Sequence, residues 1–245
     1  MPLPGGDASV KRPYRTALAQ LWAAGIAWDE ALPCVTACPP VERKVLWQQL
    51  ERTVNCAPTS SMRRLFDAVA ALIGVRQTVT YEAQAAIEME ALCADGAPGN
   101  YTFEFLEGAE NVLLQFNPAP MLRAVVDDLR AGTSVAEMAG KIHTACADLI
   151  LGLCLRARES TALNIVGLRG GVFQNVRLTM QARQRLEQHG FEVLLHFRIP
   201  PNDGGLALCR ISQLAPRPMD TKSVSLRGSI SRLTPWTTDI IKVLA

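Results

Sequence analysis

The feature that most constrains the fold is the order of patterns between residues 162 and 208. Ala162 to Leu168 is a short apolar run of strand length, Gly170-Gly171 is a turn, and residues 175–189 carry a helical repeat. Gly190 ends that repeat, and FEVLLHF reads as a second strand. Strand, glycine turn, helix and strand in this order make a βαβ unit with a parallel strand pair, the first strand reading as a central one. Ligands in such sheets collect outside the strand C-termini, which directs attention to Gly170, Gly171 and the loop from Asn202 to Gly205.

Upstream the pattern is mainly helical. Pro13 suits a first helical turn, with Leu18, Leu21 and Trp22 on one face, and a second helix is expected from about Val41 to Thr53. Thr59, Ser60 and Ser61 offer capping hydroxyls to a third, whose stripe of Leu65, Phe66, Val69, Leu72 and Ile73 ends at Gly74. TYEAQAAIEMEAL is a fourth, with Ala85, Ala86, Met89 and Leu92 inward. YTFEFL and NVLLQF suggest a hairpin, broken at FNPAP. Helices then follow from Pro120 to Arg130 and from Gly132-Thr133 to about Arg158. These patterns divide the chain into a mainly helical part (1–99), an α/β lobe (100–211) and a divergent tail (212–245).

The formal charge of +2 resides in the tail, with 20 basic and 21 acidic residues up to Ile211 and 5 and 2 beyond it. A near-neutral body gives no electrostatic footprint for nucleic acid. The apolar stretch from Ile142 to Leu155, interrupted by His143 and Asp148, reads as too short to span a bilayer. Seven cysteines form no CxxC pair, and the start MPLPGGDASVKRPYR has no apolar signal core, so reduced thiols in the cytoplasm are expected. Cys34-x3-Cys38 has no second ligand pair nearby, which makes it a poor zinc candidate.

Three segments carry residues suited to chemistry. In LRGGVFQN the glycines let a ligand approach the backbone, and the helix N-terminus that follows offers N–H groups to phosphate; tight packing is the competing reading. In PPNDGG at 200–205, Asp203 can ligate a divalent metal or simply cap a helix. In TSSMRRLFDAVA, Asp67 can accept from a ribose or orient an arginine, against an exposed ion pair with Arg63 or Arg64. Glu82, Glu88 and Glu90 are not spaced as a facing acid/base pair, and His143 reads as packed or semi-exposed rather than catalytic.

The strings PLPGGDASVKRPYRTALAQL, TSSMRRLFDAVAALIGVRQTVTYEAQAAIEMEAL, LRGGVFQN and FRIPPNDGGLAL, in this order over Pro2 to Leu208, resemble the C-terminal part of hydrogenase maturation carbamoyltransferases of the HypF type. The resemblance implies an α/β fold, a partial actin/sugar-kinase-like (Kae1-like) nucleotide-binding fold with a helical N-terminal region. It implies ATP and carbamoyl phosphate as substrates, carbamoyl adenylate as intermediate, and the C-terminal cysteine of a HypE-like maturation protein as acceptor, on the way to the cyanide ligands of nickel-iron hydrogenase. By motif, Gly170, Gly171 and Asn175 look like nucleotide-pocket residues, Asp67 like a ribose contact and Asp203 like a divalent-metal ligand.

The departures carry expectations of their own. Arg63 and Ala83 stand where the family has glycine, Arg169 where it commonly has serine, and Cys209 where it has glycine. The family's upstream modules and paired-histidine motif do not occur in these 245 residues. The expectation is therefore a truncated relative incompetent alone, with a noncatalytic docking module for a maturation partner or a missing complementary lobe as the alternative. An apolar face around Leu18 to Trp28 would then meet that lobe or a second copy.

Overall fold

A computed structural model describes residues 1–96, 99–106 and 115–195. The helical region begins with β1 (Pro2–Pro4), α1 (Asp7–Lys11), α2 (Pro13–Ala23), α3 (Pro33–Thr36) and α4 (Pro40–Arg52), and continues through β2 (Cys56–Pro58), α5 (Met62–Leu72) and α6 (Gln84–Leu92). Then come β3 (Glu104–Leu106), β4 (Gln115–Asn117), α7 (Ala119–Arg130), α8 (Val135–Thr161), β5 (Ile165–Gly167), a 3-10 turn (Gly171–Gln174), α9 (Val176–Gln188) and β6 (Glu192–Leu194).

The βαβ unit is present. β5 and β6 pair parallel, Val166 opposite Val193, and the Leu168 N–H extends the pairing to the Leu194 carbonyl at 3.1 Å. Among the described residues these two strands stand as a pair, and Ile165 and Leu194 are 36% and 43% exposed. The expected hairpin forms too: β3 and β4 pair antiparallel, Phe105 opposite Phe116. Periodicity missed a third ribbon, in which β1 pairs antiparallel with β2, Leu3 opposite Ala57.

α8 spans 27 residues, roughly 40 Å at the helical rise. Ser134 and Glu137 close a capping box at its start, each side chain accepting from the other's backbone N–H. Its length agrees with the sequence reading, but the apolar stretch is longer than Ile142 to Leu155: Val135–Glu159 is long and apolar enough to cross a membrane by length and composition. Two thirds of that window (67%) is buried in the core, where Met138, Ile142, Cys146, Ile150 and Leu153 are fully covered. The apolar demand of the helix is thus met inside the protein.

α2 packs along α5, and this contact overturns the expected open face at Leu18–Trp28. Leu18 and Leu21 are wholly buried, while the Trp28 indole donates to the Leu18 carbonyl at 3.0 Å and meets Trp47 edge-on. α5 is covered on nearly every side rather than along one stripe. Leu92, expected inward, is 48% exposed at the end of α6. The buried apolar cluster continues from Tyr14 to Phe191.

Candidate functional site

The glycine turn follows β5 directly. Gly170 has φ 116° and ψ 164°, a conformation that a side chain makes costly, so the glycine is required by the backbone. Gly171 is different: among the described residues a Cβ there would meet nothing within 4 Å, which leaves open space beside the turn. The turn closes through the Phe173 N–H on the Gly170 carbonyl and the Asn175 N–H on the Val172 carbonyl, both at 3.1 Å.

Asn175 is the N-cap of α9, its Oδ1 accepting from the Leu178 N–H at 2.8 Å. The preceding amide, Arg177 N–H, donates to Glu90 Oε1 at 2.9 Å. These partners correct the expectation that the first turn of α9 offers free N–H groups to phosphate. Two of its donors are filled, and a carboxylate already occupies the electropositive end of the helix.

The other end of the Asn175 side chain reaches the buried His143 of α8, with Nδ2 2.9 Å from Nε2. Burial, the largest influence, holds the His143 imidazole down to about 4, so the ring is neutral near pH 7. The ring also stands edge-on to Phe66 at 5.2 Å between centroids. Phe66 precedes Asp67 in α5, and α5 packs against the 3-10 turn, so one chain of contacts joins the helix of Asp67 to the glycine turn.

Asp67 is buried with Arg64, Nη1 to Oδ2 at 2.8 Å, their side chains 5% and 8% exposed. The expected exposed pair is therefore a buried one. Burial pushes the Asp67 carboxyl up more than the guanidinium pulls it down. Both residues line a cavity of about 330 Å³ with Lys11, Thr80, Glu82 and Ala83. Gly170, Gly171 and Asn175 do not line it. A larger cavity of about 400 Å³ lies at the start of α5, bordered by Gln20, Ser61, Leu65 and Phe116, and none of the candidate residues borders it either.

Two departures bear on this cavity. Arg63 turns to Glu82 on its rim, 2.5 Å away, instead of entering it. Ala83 sits at φ 64°, a left-handed conformation that glycine adopts without penalty, so the absent glycine leaves a strained backbone there. Arg169 is exposed and makes no ion pair among the described residues. Glu88 is spent on Arg76 and Glu90 on Arg177, so the acidic residues of α6 serve separate partners.

Asp203, the candidate metal ligand, and Cys209 lie outside the described residues. Among the described residues no group of three or more His, Cys, Asp or Glu is placed to hold a metal ion. Burial pushes the thiols of Cys34, Cys146 and Cys154 up to about 12, and those of Cys38 and Cys93 to about 11, so they remain protonated. Sequence reasoning passed over the link between His143 and Asn175. The available signal was a histidine on the apolar face of a long helix, where an imidazole needs partners.

Comparison with known proteins gives a consistent result. Residues 1–209 match the family described as carbamoyltransferase, Kae1-like domain, second subdomain. Carbamoyltransferase HypF of Rhodobacter capsulatus is 37% identical over 210 residues, a match covering 84% of this chain and 26% of that protein. The carbamoyltransferase HypF homolog of Cupriavidus necator is 32% identical over 212 residues, covering 85% and 54%. A crystal structure of full-length HypF in the phosphate- and nucleotide-bound form superposes with a TM-score of 0.78 at 35% identity, over 84% of this chain and 27% of that one. HypF of T. kodakarensis gives a TM-score of 0.68 at 26% identity, over the same shares. The chain thus spans about a quarter of the length of the Rhodobacter capsulatus relative and about half that of the Cupriavidus necator homolog.

Proposed function

The chain belongs to the HypF carbamoyltransferase family, as the second subdomain of its Kae1-like domain, and from that premise we propose that it supplies the nucleoside-facing side of an ATP-using carbamoyltransferase. The observation that carries this reading is the turn at Gly170–Gly171, open at Gly171 and followed at once by the half-buried amide of Asn175. A carboxylate at the start of α9 repels phosphate, so the turn suits the uncharged nucleoside part of ATP. Asp67, beside its cavity, suits a ribose hydroxyl as donor.

In this reading carbamoyl phosphate first loses its phosphate to water, the carbamate oxygen left behind attacks the α-phosphorus of ATP, and pyrophosphate leaves to give carbamoyl adenylate. The cysteine sulfur of a HypE-like partner then attacks the carbamoyl carbon while AMP leaves. The described residues of this chain bind and orient the nucleoside; none of them supplies a thiolate. A divalent metal belongs to the same reading through Asp203, but the described residues do not form a site that fits one. The free thiols suit a reducing compartment, and we place the protein in the cytoplasm. A second reading, a noncatalytic docking module, draws on the exposed Ile165 and Leu194 of the β5–β6 ribbon.

Calorimetric titration with ATP separates the two. Weak saturable binding, roughly millimolar, is expected of a site holding part of its contacts. Gly171→Leu should weaken it at least about tenfold, a loss of roughly 1.4 kcal/mol. Its thermal stability should stay unchanged, because the added side chain enters open space. Equal binding by both proteins removes the turn from the site, and no binding by either favours docking.

A further inference from the structure

The hydrogen bonds around His143 admit one arrangement of protons. Nδ1 lies 2.8 Å from the Ala139 carbonyl, which can only accept, so Nδ1 carries the hydrogen. Cys93 Sγ is 3.1 Å from the same nitrogen, and its own hydrogen is directed to the Met89 carbonyl at 3.4 Å, which leaves a sulfur lone pair for Nδ1–H. The neutral ring then has a bare Nε2. On the far side, Asn175 must turn its oxygen to the Leu178 N–H, so it faces Nε2 with an N–H. The opposite tautomer would set Nε2–H against that N–H and a lone pair against the Ala139 carbonyl. Contacts from α6, α8 and α9 therefore agree on a single tautomer and a single orientation of the amide.

We propose that His143 is a positioning residue for the nucleotide site: its bare Nε2 holds one Nδ2–H of Asn175, which keeps the amide oxygen on the α9 cap and reserves the second Nδ2–H for an acceptor atom of the nucleoside. This rests on the nucleotide reading above. That second hydrogen has no partner among the described residues, and Asn175 is half-buried. The chemical consequence is selectivity for a ligand that presents a lone pair at this point, since a donor there would meet a donor that cannot turn over without uncapping α9.

Long-range proton–nitrogen NMR of the full chain tests the arrangement without any ligand. His143 should show a proton on Nδ1 and a bare Nε2 at neutral pH; a proton on Nε2, or an imidazolium, overturns the proposal alone and leaves the nucleotide reading standing. ATP affinity of variants tests the consequence. His143→Leu should weaken binding about tenfold, and His143→Gln, whose amide oxygen can take the place of Nε2, should return to within about threefold of wild type. In an Asn175→Ala background His143→Leu should cost less than about twofold more, because the two act as one unit. An undiminished cost in that background, or no rescue by His143→Gln, means that His143 acts through packing and overturns the proposal. Absence of ATP binding by wild type overturns the nucleotide reading and, with it, the role assigned to the second hydrogen. Should His143→Leu not fold, His143→Gln and the tautomer decide.

Discussion

At the scale of single residues, the candidate site combines groups whose chemistry is set by burial. Asp67 and Arg64 lose most of their hydration, and each is tolerable only beside the other. Asp67→Ala leaves the buried guanidinium without its carboxylate partner and should destabilise the protein by about 3 kcal/mol. The pair Arg64→Met with Asp67→Leu should recover most of that, and urea denaturation of the three proteins measures both. A loss under about 1 kcal/mol for Asp67→Ala means that water reaches the guanidinium. It follows that ATP binding by Asp67 variants has to be compared at matched stability. The positions of the glycine pair on a turn, of Asn175 at a helix start and of Asp67 in the opening turns of α5 were legible in the sequence, from the strand-length apolar run and the helical repeats around them. Their partners were not: Glu90 lies 87 residues from Arg177 and His143 lies 32 from Asn175, and local pattern carries no information about such pairs.

At the scale of elements, long periodic segments were readable and short ones were not. α8 and α9 carry enough turns to show their faces, whereas PLP and CAP, three residues each with proline, have no period to read and still pair as β1 and β2. Close approach between elements is equally silent in sequence. Gly152, inside α8, faces the Phe105 ring of β3, and a Cβ there would lie 2.8 Å from Cζ. Arg156 covers the ring at 3.8 Å, which limits how it can retreat. Gly152→Ala should therefore lose about 1 kcal/mol despite the better helix propensity of alanine. In a Phe105→Ala background the same change should gain up to about 1 kcal/mol, since only the propensity remains. Thermal denaturation of the four proteins reads the cycle, and a stabilising Gly152→Ala in wild type would show that the ring yields freely.

At the scale of the whole molecule, the buried imidazole ties stability to pH. His143 joins α5, α8 and α9 through Phe66 and Asn175, so a proton forced onto it strains the centre of the fold rather than its surface. Burial depresses its folded-state value from 6.5 to about 4. As pH falls through 6.5 the unfolded chain gains a proton at this position while the folded one does not, until about pH 4. The unfolded state therefore binds more protons across that window, and stability falls with falling pH, by roughly 3 kcal/mol once the window is crossed. The raised carboxyl of Asp67 works in the other direction, because the folded state takes up that proton first. The slope of wild type alone mixes the two, and the informative quantity is its difference from His143→Gln, which keeps Asp67 and removes the imidazole. Urea midpoints of both proteins between pH 7 and 4 should diverge, with wild type losing stability faster. Parallel curves would mean that the imidazole titrates as freely in the folded protein as in the unfolded chain, and that the junction of α5, α8 and α9 admits water.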